Sequence, residues 1–346
     1  VWASVMRTRR YKIRGADAVY HCMSRTVNGA MLFGPTEQEA FRSLLWRAAD
    51  FSGVEILTYC VMRNHFHVLV RVPHRPEPLA DTELLRRFRV LYPKPGPHNP
   101  FTYEELETRL QNGGEAAESA RRQLRARMHD VSEFLKTLKL RFSIRYNREH
   151  GRFGPLWSER FKSVLVENTG AALRTVAAYI DLNPVRAGLV DDPKDYRYCG
   201  YAEAVAGRSA ALRGFERIGP GAYCGDNATI AEVMRNYRIL LFGKGTAPPS
   251  SGNGHAIPLE KFDKAVNREQ GALHWSAILR CRLRWLTDGA ILGSTQFVQS
   301  HVRHWQKTRQ LKRTPRPRSA AAPAEDDVAV IKPTRRTRNL RETEAS

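Results

Sequence analysis

The stretch "HFHVLVRV" (His65–Val72) constrains this chain more than any other eight residues in it. Its β-branched and aromatic content predicts a strand. Side chains of a strand alternate, so Phe66, Val68, Val70 and Val72 share one face while His65, His67, Leu69 and Arg71 share the other. The first set is an ordinary core face. The second places two imidazoles side by side, an arrangement able to chelate one divalent metal. It is also compatible with plain packing, and the pair alone does not choose. The choice depends on what the rest of the chain lays over that face.

The surrounding segments predict an α+β fold. "AVYHCMSRTV" (18–27) reads as a first strand. "TEQEAFRSLLWRAADFSG" follows as a helix, with Thr36 as N-cap, Glu39 three residues on, a stripe through Phe41, Leu44, Leu45 and Ala48, and Gly53 as its stop. "VEILTYCVM" and "HFHVLVRV" then form a hairpin turning at Arg63-Asn64. Together these predict an antiparallel sheet with helices packed on it. Residues 73–100 are Pro-rich, which disfavours continuous regular structure. Residues 103–128 are helical but polar, so 93–128 reads as an insertion. A basic helix over 129–147 and a strong helix in "GAALRTVAAYIDLNPVRAGLV" (170–190) come next. The latter stops near Asn183, because Pro184 disfavours helical geometry in the residue before it.

The chain has 56 Lys and Arg against 35 Asp and Glu, a net charge of +21 with His neutral. Such an excess is self-repulsive unless a polyanion is the usual partner, and nucleic acid is the first candidate. No apolar run reaches the ~20 residues of a spanning helix, and residues 1–15 lack a signal-peptide core. Five scattered cysteines (Cys22, Cys60, Cys199, Cys224, Cys281), with no C-x-x-C, argue against a disulfide framework and suit a reducing cytoplasm. Between Arg121 and Lys162 there are 12 Lys and Arg against 4 Asp and Glu, interleaved with Phe142, Tyr146, Phe153, Trp157 and Phe161. Cations along phosphates and bases stacked on rings are how single strands are held. Arg145, Arg152, Arg160 and Lys162 in this segment, and Arg186 beyond it, are the expected phosphate contacts. Any one ring is also explained by core packing.

The helix before Pro184 can supply chemistry to the histidines. Tyr179 and Asn183 are four residues apart and so lie one above the other. If their face covers His65 and His67, the Asn183 amide oxygen becomes a third ligand and the Tyr179 phenol lies about one turn (~5.4 Å) away. Three protein ligands with open positions form a catalytic rather than a structural metal site. The bland alternative makes Tyr179 a half-buried ring and Asn183 a helix terminator. Tyr146 lacks a ligand partner at helical spacing, and Tyr20 and Tyr59 read as packing residues.

"NHFHVLV" with the downstream "AAYIDLNPVRAGLV" resembles the HUH superfamily of single-strand DNA nucleases. More closely, "YHCMSRTVNG", "RYNREHGRFGPLWSERFKSVLVEN" and "YIDLNPVRAGLV" are similar to the single-tyrosine transposases of small insertion sequences, above all the REP-associated tyrosine transposases. The resemblance covers about 10–92 and 129–204. It implies a ferredoxin-like core, with His65 and His67 as ligands of Mg²⁺ or Mn²⁺, Asn183 as helix-borne third ligand and Tyr179 as nucleophile. It further implies cleavage and rejoining of single-stranded DNA at hairpin sequences through a 5′-phosphotyrosine, without a nucleotide cofactor. The expected organisation is a catalytic domain over 1–205, then, outside the resemblance, a mainly helical module over 206–313 and a basic disordered tail over 314–346; the 12 Lys and Arg against 5 Asp and Glu from His301 to Ser346 point to auxiliary DNA contact there. The linker 243–256 is expected to be flexible. A cytoplasmic, nucleoid-associated monomer is expected, with a dimer left open. A hairpin-binding protein without catalysis, and a hydrolase in which metal-bound water attacks, are the alternatives.

Overall fold

The computed structural model describes residues 11–75, 77–219, 228–245 and 290–308, together with residue 315 and the short pieces 318–319 and 329–331. The chain is α+β. Strand β1 (Ala18–Arg25) leads into α1 (Pro35–Ser52), then β2 (Glu55–Val61) and β3 (His65–Val72). After α2 (Asp81–Leu91), α3 (Tyr103–Asn112) and α4 (Gly114–Arg125) come α5 (Val131–Glu149) and β4 (Lys162–Val166). These strands are antiparallel in the order β2-β3-β1-β4. With α1 and α5 as the two connecting helices, this is the ferredoxin-like β-α-β-β-α-β arrangement.

The hairpin predicted at Arg63-Asn64 is present, closed by the Met62 amide donating to the His65 carbonyl at 2.8 Å. Helix α1 starts two residues earlier than its sequence suggests. Gly34 is the N-cap and Glu37, not Glu39, closes the capping box, accepting from the Gly34 amide at 2.9 Å. Glu39 instead pairs with Arg42 and Arg197.

Each face of the sheet has its own core. Phe66, Val68, Val70, Tyr20 and Cys22 pack with Phe41, Leu45, Phe134 and Phe142 of α1 and α5. The opposite face, which includes Leu69 and Val19, is covered by α6 (Gly170–Asp181), α7 (Asn183–Arg186), α8 (Gly200–Val205), α9 (Ser209–Ile218) and α10 (Ile230–Gly245). Alanines at 172, 177 and 178 let α6 lie close to the strands. So the 170–183 helix does lie on the histidine side of the sheet.

Helix α2 runs through residues expected to lack regular structure. The prolines lie on either side of it; within it Leu84, Phe88 and Leu91 form a buried stripe, and Asp81 and Glu83 favour its N-terminus. The insertion forms α3 and α4, whose Leu106, Leu110 and Leu124 extend the α1 side of the core.

The C-terminal part is helical over α10 and α11 (Thr295–Thr308), but it also extends the sheet. Strand β5 (Ile291–Gly293) pairs parallel to β4, and β7 (Ala329–Ile331) and β6 (Arg318–Ser319) follow it. The pattern of "LHWSAILRCRLRWLTDGAILGSTQFVQSHVRHW" (273–305) reads as helix; β5 corrects it at Ile291–Gly293, and β6 and β7 correct the expectation of a wholly disordered tail. The helix expected over 274–289, most of the linker 243–256, Cys224 and Cys281 lie outside the described residues. Cys22, Cys60 and Cys199 are free and buried, as packing residues are. Among the described residues no helix is long and apolar enough to cross a membrane.

Candidate functional site

Register decides which side chains meet. Across the α6 face, Lys162 of β4 is opposite Met23 of β1, Met23 is opposite His67 of β3, and His67 is opposite Cys60 of β2. His21, two residues before Met23, therefore shares this face. Its Nε2 lies 2.9 Å from His67 Nδ1, and the two rings stack at 5.2 Å. Above them α6 brings Tyr179, whose ring is edge-on to His67 at 5.5 Å and to His21 at 6.0 Å. His65 is edge-on to His67 at 5.1 Å. Thus His65, His67 and Tyr179, 112 residues apart between the second histidine and the tyrosine, do form one cluster.

The ring nitrogens are oriented. His65 Nδ1 lies 2.6 Å from Asn64 Oδ1, an acceptor, so this nitrogen carries the proton and Nε2 keeps its lone pair. One proton bridges His67 Nδ1 and His21 Nε2; in the tautomer in which His67 donates it, the Nε2 lone pair of His67 is available too. Hydrogen bonds at Nδ1 of this kind fix the tautomer and orientation of metal-binding histidines. Burial, and then the charge of Arg25, lowers the His65 pKa to about 4. His67 is held well below its ordinary value, first by burial and then by His21, His65, Arg186 and Arg25. Both rings are neutral near pH 7, the state in which imidazole binds metals.

Asn183 is fixed through its amide nitrogen, which leaves the side-chain oxygen as the atom that could face an ion. Its amide nitrogen donates to the carbonyls of Tyr179 and Ile180 at 2.9 and 3.1 Å, closing the end of α6. A helix C-terminus leaves carbonyls unsatisfied, and the side chain is used there. Among the described residues no group of three His, Cys, Asp or Glu is arranged to hold a metal. The paired imidazoles of His65 and His67 are the donors whose free nitrogens fit an ion.

Arg186 lies against the tyrosine. Its guanidinium carbon is 5.1 Å from the centre of the Tyr179 ring and Nη1 donates to the Tyr179 carbonyl at 3.0 Å. Desolvation lowers the Arg186 pKa to about 10, with Tyr179 acting in the opposite sense. Two residues after Tyr179, the fully buried Asp181 fastens α6 in place. It accepts from Thr58 Oγ1 at 2.7 Å and from Tyr237 Oη at 2.6 Å, and the Tyr201 amide lies 3.4 Å away.

The remaining expected DNA contacts separate by environment. Arg160 and Lys162 are exposed, Lys162 on the histidine face. Arg145 is exposed and paired with Glu149 at 2.8 Å, and Arg152 donates to the Pro155 carbonyl. Of the five interleaved rings, Phe142, Tyr146 and Phe161 are buried and Trp157 is half-buried against the core, whereas Phe153 is 94% exposed. Tyr20 and Tyr59 are buried, as packing residues are.

Residues 16–80 match the family model described as "Transposase IS200 like". The resemblance drawn from the sequence holds. The matched segment carries β1, α1, β2 and β3, and with them His21, His65 and His67. A solved structure of a REP-associated tyrosine transposase bound to a REP hairpin is 18% identical, covering 64% of this chain and 93% of that one with a TM-score of 0.36. No curated protein matches the chain.

Proposed function

We propose that the chain is a metal-dependent transposase and endonuclease of single-stranded DNA. It cuts and rejoins DNA at hairpin, REP-like palindromic sequences through a 5′-phosphotyrosine at Tyr179. The observation that carries this reading is the convergence of Tyr179 with His65 and His67 under α6. The IS200-like match and the net charge of +21 support it.

In the forward step Tyr179 Oη attacks phosphorus, the P–O3′ bond breaks, and the 3′ oxygen leaves as a hydroxyl. The 5′ side of the break stays esterified to the tyrosine. In the reverse step a 3′-hydroxyl attacks that ester, forming a new phosphodiester and freeing the phenol. Phosphoester bonds are conserved in number, so no nucleotide cofactor is needed. His65 and His67 would hold Mg²⁺ or Mn²⁺, which when bound supplies Lewis-acid polarisation of a phosphate oxygen. His21 orients His67 through its ring nitrogen. A phenol is a weak nucleophile at its ordinary pKa of ~10, and the guanidinium of Arg186 against the ring favours the phenolate. Asn183 holds the end of α6 that carries Tyr179.

Covalent trapping tests the reading. Incubation with a hairpin-bearing single strand and Mn²⁺ is expected to yield a denaturation-resistant protein–DNA adduct that Tyr179→Phe does not form and that chelation prevents. An adduct with the Phe variant would overturn the assignment of the nucleophile. Free cleaved ends with no adduct would point to the hydrolase. Salt-sensitive binding without cleavage under any metal would leave a hairpin-binding protein.

A further inference from the structure

Away from the histidines, three distant parts of the chain enclose a groove of about 1150 Å³: residues 11–14, the first half of α5, and α11. Residues 11–14 are firmly placed there. The Tyr11 ring is buried edge-on to His304 at 5.4 Å, and the Ile13 amide donates to Tyr20 Oη at 2.8 Å. Trp305 of α11 is fully buried, so this helix is seated on the core, and it meets the groove through Ser300, His301 and His304.

The lining is strongly cationic. Among the described residues it contains Lys12, Arg14, Lys136, Lys139 and Arg160 against one carboxylate, Glu133. Lys12 is paired with Asp130, Lys136 lies 3.3 Å from Glu133, and Lys139 donates to Ser24 Oγ at 2.7 Å. Arg14, Lys136 and Arg160 are exposed. Like charges gathered at a concave surface repel one another and focus a positive potential that favours an anionic chain.

Chain continuity links the groove wall to the histidine face of the sheet. Arg160 and Phe161 in its wall continue directly into Lys162, at the start of β4. Phe161 belongs to the α1 and α5 core, whereas Lys162 lies on the other face, two strands from His67. Two strand spacings are ~10 Å.

We propose that this groove binds the sugar–phosphate backbone of DNA, and that core and C-terminal helix α11 build it jointly. Backbone binding stands on the groove alone; that the bound strand continues past Arg160 and Lys162 to Tyr179 rests on the function proposed above. The occupant is nucleic acid rather than an acidic protein segment, because five cations face one carboxylate in a chain of net charge +21, the balance that a polyphosphate chain neutralises.

The full chain, a triple variant Arg14→Gln/Lys136→Gln/Arg160→Gln, and Ser300→Glu would be titrated by fluorescence anisotropy. The probe is a labelled hairpin with single-stranded flanks, followed across salt concentrations. Losing three phosphate contacts lowers the salt slope by about 2 to 3, and Ser300→Glu is expected to weaken binding several-fold at low salt. Thermal melts check that both variants fold. Wild-type slope and affinity in both folded variants would overturn the groove. Equal competition by polyglutamate of matched charge would overturn its assignment to nucleic acid. A reduced slope in a protein that never forms the Tyr179 adduct would keep the groove and remove the cleavage reading.

Discussion

Replacing Asp181 with asparagine is expected to remove a pH dependence of stability that the wild-type chain carries. Asp181 is fully buried, and desolvation raises its pKa from 3.8 to about 7 in spite of hydrogen bonds from Tyr237, Thr58 and the Tyr201 amide. The titratable groups around it are Cys60, Cys199, Tyr201 and Tyr237. Burial raises all four above their ordinary values, so they stay neutral below pH 8. Between pH 3.8 and 7 the folded chain therefore retains a proton that the unfolded chain has released. Its contribution to stability falls as pH rises through that window and levels off above it. From pH 5 to 7 the loss is about 2 kcal/mol, somewhat under two pH units at ~1.4 kcal/mol each, because the proton is already half released at pH 7. Asparagine has no such proton. In urea denaturation at pH 5, 6, 7 and 8, the stability of wild type minus that of Asp181→Asn is expected to decrease by that amount and then flatten. Parallel curves would refute the raised pKa, and a difference growing with pH would refute the sign.

Other perturbations probe the site and its support. His21→Phe keeps a ring of similar size but removes the partner of His67 Nδ1, so Mn²⁺ affinity measured by calorimetry without DNA is expected to fall about 10- to 100-fold. Unchanged affinity would deny His21 its orienting part. Phe153→Ala alters a side chain that is 94% exposed. It is expected to leave stability within ~0.5 kcal/mol while weakening single-strand binding by about 1–3 kcal/mol; equal affinity in anisotropy titrations would place the ring outside the interface. Gly214→Ala would press a methyl group against the Leu57 carbonyl oxygen, with the Ile56 oxygen 2.8 Å away. Denaturant titration is expected to show a loss of about 1–3 kcal/mol, and a neutral result would mean that α9 lifts from β2 freely.

Local pattern revealed the parts of this fold that local chemistry controls. Strand alternation sorted His65 and His67 from Phe66 and Val68, and Pro184 marked the end of the helix bearing Tyr179. What depends on register was hidden. His21 sits on an otherwise apolar strand, and nothing in 18–25 alone says that Met23 is opposite His67. Asn183 opens α7 just beyond α6, and nothing local says that its amide nitrogen is taken by the carbonyls of Tyr179 and Ile180. Helix α2 carries a readable stripe, obscured by the prolines on either side of it. Strands β5 and β7, three residues each, are too short for periodicity and exist through their pairing. Among the interleaved rings, composition could not separate the exposed Phe153 from the buried Phe142.

The pairing of β5 with β4 has a consequence for how the molecule meets copies of itself. The Leu165 and Glu167 amides donate to the carbonyls of Ala290 and Leu292 at 3.1 and 2.9 Å, and Glu167 also accepts from the Ser294 hydroxyl at 2.9 Å. Without residues 290–293 that row of donors would be a bare margin, ready to recruit a foreign strand. The chain closes the margin with its own distal segment. A proteolytic cut in the stretch between α10 and β5, followed by loss of the downstream piece, would offer the edge of β4 to foreign strands while leaving His65, His67 and Tyr179 in place.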